Sequence, residues 1–169
     1  RIDHQDDTAY LQALVTAADR FCGDYTGRAL NTQTWRGWFD VAPSSDGAFL
    51  LIKAPVASIT SVTSYSPSDA SSVLSSSAYQ LDNVSEPARV VLKSGYSWPS
   101  DLRAVNSVAI QFVCGAATVA APIKTACLHL VAHWYENREP VQQGSISAAQ
   151  IPLLATMLLD QYRLHTGIA

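Results

Sequence analysis

Residues 107–141 read SVAIQFVCGAATVAAPIKTACLHLVAHWYENREPV, and two kinds of order meet inside them. The first part, SVAIQFVCG, has the β-branched and aromatic content of a strand that ends at glycine. From Pro122 the period changes: Ile123, Cys127, Leu130 and Trp134 recur at helical spacing, and Leu128, Val131 and Tyr135 widen the apolar arc. Pro122 suits a first turn, where its missing N–H costs nothing. A helix this apolar is buried in a bundle or against another subunit. Its wheel predicts Leu130, Val131 and Trp134 facing inward, with His129, His133 and Glu136 on their polar edge. Arg138 follows near the helix end, where a positive charge complements the dipole.

Upstream, closely spaced strand candidates fill about 33–115: QTWRGWFDV with its large aromatics, the apolar run AFLLIK, the β-branched ASITSVTSY, then AYQLD and ARVVLK. Turn material separates them, and no helical pattern intervenes, which predicts an antiparallel arrangement. SYSPSDASSVLSSS, within 64–77, is the low-complexity patch; its serines offer little to bury, so a mobile loop or hairpin tip is expected. Before the strands, DDTAYLQALVTAADRFCG predicts an amphipathic helix over about 6–23, capped by Asp6 or Asp7 and stopped by Gly23. After residue 141, IPLLATMLLDQYRLH predicts a last helix over about 152–165, with Gly167 ending it. The fold class is therefore α+β. A small helical bundle, the N-terminal helix plus two C-terminal helices over about 122–139 and 152–165, carries an antiparallel β-rich insertion, the whole of 1–169 being one domain.

Composition narrows the function. Hydrophobic residues make up 48% and charged residues 15%, against a usual charged share of about 25%. So lean a surface points to partners that cover part of it. The net charge is -3 and the basic residues are scattered from Arg20 to Arg163, so no stripe of Lys and Arg grips phosphate. Cys22, Cys114 and Cys127 form no CxxC pair and read as buried thiols in a reducing compartment. No run of 18 or more apolar residues is present to cross a membrane as a helix.

The candidate chemistry thins on inspection. His129, His133 and Glu136 share one helix face, as metal ligands do, but a zinc hydrolase of the HExxH type needs glutamate directly after the first histidine, where this chain has Leu130. Cys127 lies on the other side of that helix. No GxSxG elbow, phosphate-cradling loop or GxGxxG fingerprint occurs. No catalytic residue, metal ligand or cofactor is assigned. The aromatic residues Trp35, Trp38, Tyr96 and Trp98, with few basic neighbours beyond Arg36, read as core or subunit contacts rather than base-stacking platforms. The expected contact residues are Trp35, Trp38, Tyr65, Trp98, His129, His133, Glu136 and Arg138.

Several phrases in order carry a family resemblance: RIDHQDD at the start, TGRALNTQTW at Thr26–Trp35, APVASITSVTSY, YSWP, a strand ending CG, and HWYENRE at His133–Glu139. Over about Arg1 to Val141 the chain resembles the head-tail connector, or adaptor, proteins of tailed bacteriophages and phage-derived gene transfer particles. The resemblance implies a structural virion protein made in the host bacterial cytoplasm, with no enzymatic role and a further helix ahead of Arg1. It implies a homo-oligomeric ring, commonly of twelve subunits, with the portal protein above and a stopper or tail-completion protein below. Double-stranded DNA would pass through the ring without tight binding. A stopper or tail-terminator ring is the neighbouring alternative, and a metal enzyme on the histidine face or a nucleic-acid module on the tryptophans are the alternatives from other classes.

Overall fold

The computed structural model describes residues 7–40, 47–138 and 152–164. Among them are three helices and seven strands: α1 (Thr8–Thr26), β1 (Gln33–Phe39), β2 (Phe49–Leu51), β3 (Val56–Tyr65), β4 (Ser71–Val73), β5 (Tyr79–Asp82), β6 (Ala88–Leu92), β7 (Val108–Cys114), α2 (Ala121–Glu136) and α3 (Leu153–Asp160). The fold is α+β, with the β-rich region between the first helix and the last two. The chain falls into two compact units, Arg1–Leu30 with Thr118–Arg163, and Asn31–Ala117 with Leu164–Ala169.

In the helical unit the apolar stripes read from sequence meet. Ala18 and Cys22 of α1, Ile123, Ala126 and Leu130 of α2, and Ala155 and Leu159 of α3 form one core with Leu30, flanked by Phe21, Val131 and Trp134. Each buried leucine or isoleucine contributes about 1.5–3 kcal/mol. The apolar arc of α2 is narrower than its composition suggested, for Leu128 is 68% exposed. Helix α1 runs past Gly23, its expected stop, and ends at Gly27, whose φ of 72° takes the left-handed position. A glycine can be carried inside a helix at a cost of about 1 kcal/mol, and here the next turn repays it, since Thr26 is buried and donates its hydroxyl to the Cys22 carbonyl at 2.7 Å. Helix α3 begins after Pro152 but ends at Asp160, short of the expected 165; Asp6, Glu139 and Gly167 lie outside the described residues.

Asp7 occupies the N-cap position of α1 without capping it. Its Oδ2 instead accepts the Tyr135 hydroxyl at 2.6 Å and an Arg138 Nη2 proton at 2.9 Å. The first turn of α1 is thereby tied to the last turn of α2. At the other end of α1, Tyr25 donates to Asp160 at 2.7 Å and Arg28 Nε donates to the Tyr162 carbonyl at 2.6 Å, so α1 is linked to α3 as well.

The β-rich unit holds two antiparallel sheets, ordered β1-β7-β3-β4 and β2-β6-β5. Val108, Ile110, Phe112 and Cys114 alternate along β7 and are all buried, the pattern of a central strand with one face on the core. Phe39 of β1 meets Phe49 of β2 with ring centroids 4.6 Å apart, which joins the inner faces. Strand β3 shifts register twice against β7, at Val56/Ser58 and Ile59/Ser61, and such bulges bend a strand. In the short sheet Asp82 closes the β5–β6 turn. Its carboxylate accepts the Val84 and Ser85 amides and two guanidinium protons of Arg89, at 2.9 and 2.6 Å.

The serine-rich stretch over 64–77, expected as a mobile loop or hairpin tip, is a hairpin whose tip is smaller than that range. Ser71–Val73 form β4 and pair with Thr63–Tyr65, leaving Ser66–Ala70 as the turn, closed by Ser66 N–H to the Ala70 carbonyl at 3.0 Å. Serine has little to bury but keeps both backbone groups, and an edge strand needs no more than those. Gly115, just after β7, has a φ of +116°, and a Cβ there would overlap the Asn31 backbone. That close crossing lets β1 begin its pairing at Gln33 with Cys114.

Candidate contact surfaces

Strand alternation places Arg36 and Trp38 of β1, Ala109 and Gln111 of β7, and Thr63 and Tyr65 of β3 on one face of the larger sheet. Trp38 and Tyr65 face each other with centroids 5.7 Å apart. Arg103, from the segment before β7, lays its guanidinium 4.4 Å from the Tyr65 ring and 6.0 Å from that of Trp38. It is held there by Asp69 Oδ1 at 2.9 Å and by the Asn106 carbonyl at 2.8 and 3.0 Å. Arg36 approaches Trp38 at 5.9 Å and donates to Gln111 Oε1 at 3.1 Å. The result is a cation-rimmed aromatic patch in which Trp38 remains 44% exposed. Guanidinium groups against ring faces, fixed by neutral acceptors and one carboxylate, suit recognition rather than proton transfer.

Trp35 and Trp98 do not join this patch. Trp35 lies on the opposite face of β1, where its Nε1 donates to Gln33 Oε1 at 2.9 Å and Lys53 Nζ sits 5.2 Å over the ring. Trp98 packs edge-on against Phe49 at 4.8 Å, and its Nε1 is withdrawn from solvent with no partner among the described residues.

In the helical unit, His129 and Glu136 are exposed and His133 is half-buried. The His133 ring places Nδ1 3.3 Å from Asn137 Nδ2, while its buried Nε2 meets no partner among the described residues. No group of three His, Cys, Asp or Glu side chains able to hold a metal ion occurs among the described residues. Arg138 is engaged inside the unit: besides Asp7, it stacks over Tyr135 at 4.4 Å and Tyr10 at 5.0 Å. The hydrogen bond to Asp7 pushes the Tyr135 hydroxyl up from its ordinary pKa, and the same carboxylate raises that of Arg138. Large apolar side chains stand exposed on all three helices: Val15 of α1, Leu128 of α2, and Leu153, Leu154 and Met157 of α3. The contact residues expected from sequence thus divide between the two units, and in the β-rich one only Trp38 and Tyr65 come together.

Sequence reasoning missed Arg36 and Arg103 as members of the patch. Arg36 was within reach, because a residue two places from Trp38 on a strand shares its face. Arg103 had no local signal, since its position depends on Asp69 and on the turn at Asn106, whose φ is 51°. Asp7, read from sequence only as a cap, and Tyr10 gave no local sign of Tyr135 and Arg138, which lie more than a hundred residues away.

The sequence model of the family described as head completion protein matches residues 1–163. Among solved structures, a chain in the neck of an empty gene transfer agent particle, computed with C6 symmetry, is similar at a TM-score of 0.75 and 20% identity, covering 98% of this chain and 84% of that one. A chain in the virion of a native gene transfer agent particle gives 0.73 at 20% identity, with 97% and 80% covered. One in the neck of the native particle, computed with C12 symmetry, gives 0.72 at 21% identity, with 93% and 83% covered. No curated protein matches the chain.

Proposed function

The chain belongs to the head completion protein family, and on that premise we propose that it is a structural protein of the virion neck. In this reading it forms a homo-oligomeric ring adaptor between the portal and the tail or stopper of a tailed phage or gene transfer particle. The ring extends the channel through which double-stranded DNA passes, and both compact units belong to one adaptor subunit. The single observation that carries the reading is the family match, which runs through helices and β-rich region alike. The similarity of fold to neck chains supports it.

The surfaces fit such a role physically. A ring subunit makes heterologous contacts through two different patches, and the chain offers two of different chemistry. The Trp38–Tyr65–Arg103 patch is aromatic and cationic, the composition enriched where protein partners bind most tightly. The exposed apolar residues of the helices suit a neighbouring copy. His129, His133 and Glu136 border that helical surface and are assigned to contact with it; Trp35 and Trp98 shape the β-rich side. A net charge of -3 with scattered basic residues lets DNA pass without the salt-sensitive grip of phosphate contacts.

Electron microscopy of particles carrying a labelled copy of this chain tests the reading. Label in a ring between portal and tail is the expected result. Label only below that ring would move the protein to a stopper or tail-terminator position, and absence from particles would overturn the neck assignment.

A further inference from the structure

Cys22 of α1 and Cys127 of α2 place their sulfurs 3.1 Å apart across the core of the helical unit. Cys22 is fully buried and Cys127 half-buried. The third cysteine, Cys114, is buried in the other unit. We propose that Cys22 and Cys127 are an oxidisable dithiol that closes to an intramolecular disulfide and fixes α1 against α2.

Three features favour closure. A disulfide needs its sulfurs about 2.05 Å apart, so the pair has to approach by about 1 Å between helices already packed on each other. The two helices are tied by Asp7 to Tyr135 and Arg138, which keeps the sulfurs facing. The two thiols also differ in access: Cys22 is fully buried and Cys127 half-buried. The outer Cys127 sulfur is therefore the one that meets the oxidant, and the inner Cys22 sulfur resolves the adduct.

With diamide, a small azo oxidant specific for thiols, the steps balance. The Cys127 thiolate adds to the N=N bond, forming an S–N bond, and the second nitrogen takes a proton. The Cys22 sulfur, losing its proton, then attacks the Cys127 sulfur; the S–S bond forms, the S–N bond breaks, and the hydrazine leaves. The two thiols give up two electrons and two protons, and the azo compound accepts both. This chemistry is independent of the neck reading. It gives the helical unit two states, a reduced one in which α1 and α2 can adjust and a bridged one in which they cannot.

The test uses the full chain, reduced, freed of reductant and treated with diamide, then unfolded, alkylated and mapped by mass spectrometry. Diamide is preferred to peroxide because the exposed Met157 would also take up oxygen from peroxide. The expected product is a monomer in which Cys22 is joined to Cys127 and Cys114 is alkylated. Its melting temperature should rise on the order of 5–10 °C and fall back with dithiothreitol. Cys127→Ser, at the half-exposed position, should abolish both the bridge and the rise; Cys22→Ser should do the same while leaving Cys127 open to a stable adduct. Recovery of Cys22 and Cys127 both alkylated after treatment, bridges only between chains, or a bridge formed only in urea would each overturn the proposal.

Discussion

Gly115→Ala offers a sharp test, because two separable costs meet at one position. The φ of +116° is strained for any residue with a Cβ, at about 1–2 kcal/mol. The added carbon would also overlap Asn31 backbone atoms, which cannot swing aside as a side chain can; overpacking of this kind costs about 1–3 kcal/mol. Together they predict a loss of about 3 kcal/mol. Gly95 supplies the control: its φ is +86° but nothing lies within 4 Å of the place a Cβ would take, so Gly95→Ala should lose only about 1 kcal/mol. Three of the four tryptophans lie in the β-rich unit and only Trp134 in the helical one, so urea unfolding followed by fluorescence in a Trp134→Phe background reports on the β-rich unit. A midpoint shift of about 1–2 M is expected for Gly115→Ala and roughly a third of that for Gly95→Ala. Equal shifts for the two variants would refute the backbone-overlap reasoning, because strain alone would then account for both.

Other perturbations address the remaining features. Leu130→Ala, at a fully buried position in the helical core, should cost about 2–5 kcal/mol, read as a lower melting temperature by far-UV circular dichroism. Asp7→Asn should lower the ionisation pKa of Tyr135, whose upward shift comes first from its hydrogen bond to that carboxylate, and the phenolate absorbance on alkaline titration measures it. Arg89 and Ser85 hold Asp82 well below its ordinary value of 3.8, so its contribution is fully present above that pH and is lost as pH falls through the depressed folded value; Asp82→Asn should flatten this part of the acid-unfolding profile. Trp38→Ala should leave folding within about 1 kcal/mol yet reduce incorporation into particles roughly tenfold or more, counted by quantitative mass spectrometry of purified particles.

The helices and the central strand were legible because their signals are local. Ile123, Leu130 and their neighbours repeat at helical spacing, and Val108, Ile110 and Phe112 at strand spacing, whatever they pack against. The stop of α1 was misplaced because Gly23 and Gly27 look alike to a rule about glycine, whereas buried Thr26 and its bond to the Cys22 carbonyl favour the later end. Serine content hid β4, since side-chain chemistry says little about a strand paired chiefly through its backbone. The aromatic residues expected as contacts could not be grouped from sequence. Grouping Trp38 with Tyr65 and excluding Trp98 required the order β1-β7-β3, which joins strands distant in the chain. Asp7 read as a cap because capping is the local use of an acid before a helix, and Tyr135 and Arg138 compete for it from a place that no window on the sequence contains.

The links at the two ends of α1 have a mechanical consequence. Apolar packing is non-directional, so a core of alanine and leucine opposes pulling helices apart far more than it opposes shear along their axes. A slip of one residue moves a helix by about 1.5 Å, enough to break hydrogen bonds as short as 2.6 Å at Tyr135 and Arg28. Asp7 meets α2 at one end of α1, while Tyr25 and Arg28 meet the α3 side at the other. Axial load in either direction therefore falls on a polar bond before it reaches the grease between the helices.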